Sequence, residues 1–216
     1  MDRQSRLVII GAGGFGRQIA AVVADMNARS PKWDFAGFVD DEAEGTTVEG
    51  YPIMGPVEWL FERTEKPYVL CAIGDPRIRK RIVAECGKRG VRFATIVHPS
   101  VVMSRFVWVG EGTMIMPGTV ITTNVRIGKH CLINSGCRIG HDTVIEDYSS
   151  CMPATAVAGD VVLSEGCYLG IGSCVVNKAN VGAWSVIGAG AAVVDDIPPG
   201  VVAVGIPAKS IKSIPL

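Results

Sequence analysis

The stretch Met114–Cys151, MIMPGTVITTNVRIGKHCLINSGCRIGHDTVIEDYSSC, decides the fold. Every sixth residue in it is apolar: Ile115, Ile121, Ile127, Ile133, Ile139, Ile145 and Cys151. The series runs back to Val109 and Met103 and on through Val157, Leu163, Leu169, Val175, Val181, Ile187 and Val193. Two residues before each of these, from Val107 to Ala191, the side chain is small or β-branched: Thr113, Thr119, Cys131, Cys137, Thr143, Ser149, Thr155 and Cys167 are typical. Glycine often follows the apolar position, as at Gly110, Gly128, Gly140, Gly170, Gly182 and Gly188, which suits a corner. A period of six is neither the 3.6 of a helix nor the 2 of a strand. It fits short flat strands, each followed by a turn, that coil into a three-sided prism. Three sides of six residues give an 18-residue coil, so about five coils stack at about 4.8 Å each. The large residue points inward and the small one fits where the interior is crowded. Cys131, Cys137, Cys151 and Cys167 are then core filler, and Cys174, out of phase, faces outward.

Upstream of residue 97 the pattern changes. Leu7–Ile10 reads as a strand, and GAGGFG (Gly11–Gly16) leads into a helix through Ile19, Ala20, Val23 and Met26. Phe35–Val39 is a second strand ending at Asp40 and Asp41; Val57–Phe61 is a short helix. Tyr68–Ile73 is a third strand ending at Gly74 and Asp75. A basic helix, Arg77–Lys88, follows, with Ile78, Ile82, Val83 and Cys86 inward and Arg77, Arg79, Lys80 and Arg81 on a solvated face. Arg92–Val97 is a fourth strand. Strands alternating with helices imply a parallel sheet covered by helices. The expected fold is therefore an α/β Rossmann-like half domain over 1–97, followed by an all-β parallel helix and tail over 98–216.

Composition excludes several classes. Among 216 residues, 21 Lys+Arg balance 21 Asp+Glu, so there is no basic excess for nonspecific nucleic-acid binding. No run approaches about 18 uncharged apolar residues, so no membrane span is expected despite 48% hydrophobic residues. The opening MDRQSRLVIIGAGG reads as a first strand, not a signal peptide. Seven cysteines without a CxxC pair suit reduced thiols in a cytoplasm.

GAGGFG satisfies GxGxxG through Gly11, Gly13 and Gly16, between a strand and a helix. Amides at that helix start can hold phosphate oxygens, and Asp40 could hold a ribose. Alone this suggests NAD, but about 97 residues make one mononucleotide half, whereas the dinucleotide fold uses two. Three histidines are present: His98, His130 and His141. His98, at the junction before Pro99, reads as structural. His130 and His141 differ by 11 positions, not by a multiple of the 18-residue coil, so a three-histidine zinc site is not expected. His141, in CRIGHDTVIED, should point outward with Asp142 beside it. A neutral imidazole can accept a proton near neutral pH, and an adjacent carboxylate fixes its tautomer.

The hexapeptide pattern with the ending PPGVVAVGIPAK, Pro198–Lys209, resembles the left-handed β-helix acyltransferases. VIIGAGGFGRQIA, GFVDD and AIGDPRIRKRI ahead of it resemble the NeuD/PglD-like sugar acetyltransferases. The resemblance implies a left-handed coil and transfer of acetyl from acetyl-CoA to the amino group of a nucleotide-linked amino-deoxy sugar, of bacillosamine or perosamine type. It also implies a homotrimer and no metal. His141 would be the general base and Asp142 its support. Gly13, Gly14, Phe15, Asp40, Asp41, Gly74 and Asp75 would bind the nucleotide sugar, with Phe15 where relatives carry His. Asn134, Gly159, Gly170, Ile171, Ala189, Pro207 and Lys209 would line acetyl-CoA. Ser150 stands where many relatives have a second histidine nine residues after the base; it would meet the cofactor through a weaker hydrogen bond, or that role is lost. The alternatives are O-acetylation of a sugar hydroxyl such as a sialic acid, a nucleotide-sensing protein with the helix as scaffold, and a purely structural β-helix.

Overall fold

The computed structural model describes residues 4–43 and 45–215. Residues 1–3, part of the charged opening, lie outside the described residues. The chain forms two compact units: the residues up to Gly74 with Ile78–Thr95, and Asp75–Arg77 with the residues from Ile96 onward.

In the first unit, β1 (Ser5–Ile10), α1 (Gly14–Arg29) and β2 (Trp33–Val39) are followed by the two-residue strands β3 (Thr47–Val48) and β4 (Tyr51–Pro52). A 3-10 turn over Val57–Leu60, β5 (Tyr68–Cys71), α2 (Pro76–Lys88) and β6 (Arg92–Phe93) complete it. The main sheet is parallel in the order β2-β1-β5-β6. Leu7, Val8, Ile9, Val69 and Leu70 are buried, as expected of strands covered on both faces. The inward face of α2 differs from the expected one. Ile78 is 43% exposed, while Arg79 is fully buried and its guanidinium donates to the carbonyls of Ile73 (2.6 Å) and Gly74 (3.1 Å). A guanidinium can be buried here because it satisfies carbonyls that a strand end would otherwise leave without a donor. The expected strand Arg92–Val97 is two strands: β6 pairs with β5, whereas Ile96–Val97 pairs with Met114–Ile115.

The second unit is a parallel β-solenoid with three walls. Wall A contains Ile96–Val97, Met114–Ile115, Leu132–Ile133, Ser150–Cys151, Tyr168–Leu169, Val186–Ile187 and Val201–Val204, with Lys209–Ser213 added antiparallel at its end. Wall B runs from Val102–Met103 to Ala192–Val193, and wall C from Val107–Val109 to Val162–Leu163. Successive strands on a wall pair with a shift of 18 residues, as Met114 with Leu132 and Leu132 with Ser150. The last pairing, Val186 with Val202, has a shift of 16. The stack is thus six coils rather than five, the last shortened by two residues between Val193 and Ile197. From Ile115 to Val193 every sixth residue is inward and at most 3% exposed. Removal of such side chains from water, about 1.5–3 kcal/mol each, drives the coil closed.

The threonines, serines and cysteines two positions earlier prove to be hydrogen-bond donors. Thr113, Thr119, Thr143 and Ser149 give their hydroxyls to the carbonyl fifteen residues on, those of Gly128, Asn134, Ala158 and Ser164. Cys131, Cys137 and Cys167 do the same through sulfur, to Glu146, Met152 and Gly182. Ser185 reaches Pro198 thirteen residues on, which matches the two residues missing from the last coil.

The turns also differ from the expected form. The left-handed residue lies three places after each inward residue, not one, at Gly112, Gly118, Asn124, His130, Gly136, Asp142 and so on to Gly190. The glycines directly after the inward residue serve close approach between coils: a Cβ at Gly140 would fall 2.5 Å from the backbone of Ala158.

Candidate active site

The six-residue register decides what meets at the prism edges. The edge between walls B and C carries the left-handed residues Asn124, Asp142, Asp160 and Lys178, with φ between 56° and 67°. Each is 18 residues from the next, so their side chains emerge one coil apart on the same edge. Asn and Asp tolerate this conformation better than other residues with a Cβ. His141 precedes Asp142 on the same turn. Its Nδ1 lies 2.7 Å from Asp142 Oδ2, and both side chains are about half exposed. Asn124 donates its side-chain amide to the other oxygen, Asp142 Oδ1. That bond first, and the one with His141 second, hold the Asp142 carboxyl below its ordinary range. An ionised Asp142 accepts from Nδ1–H and leaves Nε2 with its lone pair free to take a proton. The peptide N–H of Asp160 donates to the His141 carbonyl at 2.9 Å, which ties the next coil to this turn.

Gly159 belongs to this edge. A Cβ built there would fall 2.5 Å from His141 Cε1 and 2.6 Å from Nε2, so the imidazole lies over the bare glycine. Asn134, Gly170, Ile171 and Ala189 occupy a different edge, between walls A and B. Asn134 is buried, with Oδ1 accepting from the Ser135 N–H; Ile171 is 56% exposed. Pro207 and Lys209 lie at the exposed end of the stack, where Lys209 pairs with Asp195 at 3.5 Å. Ser150 is fully buried on wall A, across the prism from the His141 edge. Within one chain these residues therefore form separate groups on two edges and a wall. Asn124 and Asp160 were missed in the sequence, although they are the coil equivalents of Asp142 and a count of 18 in each direction finds them.

The other two histidines are structural. His98 is buried, and its Nδ1 lies 2.7 Å from Ser100 Oγ. His130 is buried on the edge between walls C and A, stacked on Tyr148.

In the first unit the glycine loop follows β1 at the carboxyl end of the sheet. The chain leaves β1 toward β2 on one side and β5 toward β6 on the other, so the ends of β1 and β5 form a switch point, where such sheets bind ligands. Gly11, at φ 97°, packs against the Ala72 carbonyl, and a Cβ at Gly16 would fall 1.9 Å from the Gly11 carbonyl oxygen. Gly13 caps α1 without a side chain, and both Gly13 and Gly14 are exposed with open space around their Cα atoms. Phe15 is half-buried beside them. Asp40 accepts from the N–H of Ala12 (2.7 Å) and of Glu42 (2.8 Å), tying the end of β2 to the glycine loop. Asp41 accepts from Val57 N–H. Gly74 and Asp75 end the β5 segment, where Asp75 accepts from the Arg77 N–H at the start of α2. No helix among the described residues is long and apolar enough to cross a membrane.

Comparison with known proteins agrees with both parts. The PglD N-terminal domain family matches residues 6–86, and the bacterial transferase hexapeptide family (six repeats) matches 106–141. GDP-perosamine N-acetyltransferase of Escherichia coli O157:H7 is 31% identical over 214 residues, 96% of each chain. A solved mutant of perosamine N-acetyltransferase from Caulobacter crescentus, in complex with CoA and GDP-perosamine, superposes with a TM-score of 0.86 at 31% identity, over 99% of each chain. The acetyltransferase domain of PglB from Neisseria gonorrhoeae, in complex with acetyl coenzyme A, gives 0.76 at 25% identity, over 97% of this chain and 100% of that one. With a relative matched end to end and a family model on each part, the chain belongs to the NeuD/PglD-like family of sugar acetyltransferases.

Proposed function

We propose that the protein transfers acetyl from acetyl-CoA to the amino group of a nucleotide-linked amino-deoxy sugar of perosamine or bacillosamine type. The observation that carries this reading is the His141–Asp142 pair at 2.7 Å on an exposed edge of a hexapeptide acyltransferase coil. The acceptor class is supported by the N-acetyltransferase relatives, which match nearly the whole chain.

The acceptor nitrogen attacks the thioester carbonyl directly. His141 Nε2 takes the proton that the nitrogen sheds, and Asp142 stabilises the resulting imidazolium through Nδ1–H. The tetrahedral intermediate collapses, the C–S bond breaks, and the CoA thiolate leaves and is protonated. No covalent acyl-enzyme is needed. Gly13, Gly14, Phe15, Asp40, Asp41, Gly74 and Asp75 would hold the nucleotide sugar: the uncapped α1 N-terminus suits a phosphate. Asn134, Gly170, Ile171, Ala189, Pro207 and Lys209 would line acetyl-CoA along the other edge, and Gly159 seats His141; Ser150, fully buried on wall A, takes no direct part.

A homotrimer with sites between neighbours follows from the same reading. Val102, Phe106, Trp108 and Val120 are 40–64% exposed on the first two coils, around the edge that carries His141. Large apolar residues gathered on a flat prism mark a contact surface.

The test is thiol release from acetyl-CoA with a panel of nucleotide-linked 4-amino sugars, wild type beside His141→Ala. Release with an amino sugar, reduced about 100-fold or more by the substitution, is expected. Undiminished release by the variant removes the role of His141. Release only with hydroxyl acceptors moves the activity to O-acetylation.

A further inference from the structure

The groups around His141 include one that the reaction above does not use. Asp160 stands one coil beyond Asp142 on the same edge, in the same left-handed conformation at φ 57°. One ring nitrogen of His141 and one carboxylate oxygen from each of Asp142 and Asp160 lie within 4.8 Å of one another. The two aspartates differ in their engagements. Both oxygens of Asp142 are occupied, one by His141 and one by Asn124. Asp160 is held through its backbone, N–H to the His141 carbonyl, and its carboxylate accepts no hydrogen bond among the described residues. It is exposed, fixed in place by the coil, and aimed at the same small volume as the base.

We propose that Asp160 is the residue that selects an amine acceptor, by binding the ammonium form of the sugar's amino group beside His141. This rests on the amino-sugar reading above. An aliphatic amine on a sugar is largely protonated at neutral pH and must enter the site as a cation. Asp142, committed to the imidazole, has no oxygen to spare for it. Asp160 supplies an acceptor with a full negative charge at hydrogen-bond distance from a nitrogen placed next to His141. The ammonium gives one proton to Nε2 of His141, and its lone pair becomes available for the thioester carbon. The next proton leaves the nitrogen after attack, when the imidazolium has passed the first to water. A hydroxyl acceptor carries no charge and gains nothing from Asp160, so the second carboxylate separates amines from alcohols.

The experiment is steady-state kinetics of Asp160→Asn beside wild type, with the nucleotide-linked amino sugar that gives the fastest thiol release and with its hydroxyl counterpart. Asparagine keeps the left-handed turn and removes only the charge. The expected result is a KM for the amino sugar raised about tenfold or more, in line with loss of a charge-assisted hydrogen bond. The KM for acetyl-CoA and the thermal midpoint stay unchanged, and the preference for amine over hydroxyl falls by a similar factor. A variant with unchanged amino-sugar KM overturns the proposal while the amino-sugar reading stands. A fall in kcat with KM unchanged also overturns it, since Asp160 would then act on His141 instead of the acceptor. Loss of wild-type activity with chelator and recovery with a divalent cation overturns it in favour of a cation held by the same three groups. A wild type that acetylates no amine overturns the reading and the proposal together.

Discussion

The imidazole of His141 lies over Gly159, with so little room that a Cβ on the glycine would come within 2.5 Å of the ring. The two residues are 18 apart, so each coil supplies the surface on which the previous coil's side chain rests. Gly159 does not have a positive φ, so backbone conformation does not demand glycine there. The demand comes from the ring alone. Gly159→Ala is therefore expected to swing His141 off its seat and away from Asp142 Oδ2. Because the side chain is half exposed it can move without disturbing the core, and the thermal midpoint should shift by less than about 2 °C. Acetyl transfer should fall at least tenfold, since a displacement of about 1 Å at a catalytic group can cost that much or more. The check is kcat with amino sugar beside a melting curve. A variant with normal kcat would show that the imidazole works from another rotamer.

Much of this arrangement is legible in the sequence. The period of six identified the inward residues from Ile115 to Val193, because burial repeats with the coil, but it failed at its start, where Met103 is 41% exposed and Val109 only half-buried. What the pattern did not reveal was chemistry hidden under a size class. Thr143, Ser149 and Cys137 looked alike as small fillers; in the structure they share an O–H or S–H directed at a carbonyl fifteen residues on. Size is visible in composition, whereas a donor's direction depends on where the next coil passes. The turn glycines were misplaced for a related reason. Left-handed residues need not be glycine, and Asn124, Asp142 and Asp160 hold that position, which hid the regularity. On α2 the helical pattern favoured Ile78 inward over Arg79, since the two carbonyls that accept the buried guanidinium, of Ile73 and Gly74, lie outside the helix. His141 and Asp142, by contrast, are neighbours in sequence, so their contact was readable directly. Asn124 and Asp160 reach the same point from 18 residues away on either side.

Buried cysteines make a different prediction, about reactivity and alkaline stability. All seven thiols are free, and Cys174 alone is not buried. Burial pushes the thiol of Cys137 up to about 11 and those of Cys71 and Cys167 up to about 12. A thiolate is the reactive form, so a disulfide reagent at pH 8 should label one thiol per chain quickly and all seven after denaturation. Three or more fast thiols would contradict the packing. The same shifts act on stability. A thiol whose folded value is raised above the unfolded one favours the folded chain fully below about pH 9, and that contribution is lost as pH rises through about 11 to 12. Cys137→Ser keeps the donor to the Met152 carbonyl and removes the titration. The difference in urea midpoint between pH 8 and pH 10.5 should be smaller for Cys137→Ser and Cys167→Ser combined than for wild type. Equal differences would show that these thiols do not contribute to alkaline unfolding.

The exposed apolar residues of the first coils give the proposed homotrimer a test. Phe106 and Trp108 are 59% and 56% exposed, more than isolated surface aromatics of a monomer need. Phe106 is the coil equivalent of Asn124, which itself bonds Asp142, so the aromatic end of this edge leads directly to the His141–Asp142 pair. Arg105 and Arg126 flank the aromatics on wall C, and Glu146, Asp147 and Glu165 follow them along an open groove of about 840 Å³. Opposite charges at the two ends of one groove allow like surfaces to meet head to tail, the arrangement that closes a three-fold ring. A buried aromatic anchor at such a contact contributes about 2 kcal/mol or more, and placing a charge there adds the cost of desolvating it. Trp108→Arg should therefore convert the proposed trimer to monomers in sedimentation velocity at micromolar concentration. The circular dichroism of the coil should stay unchanged, since Trp108 touches solvent rather than the core. If, as proposed, the site lies between neighbours, acetyl transfer should fall in proportion to the monomer fraction. A variant that sediments as a monomer with full activity would show that one chain's His141 edge is complete by itself, and the groove would then need another occupant.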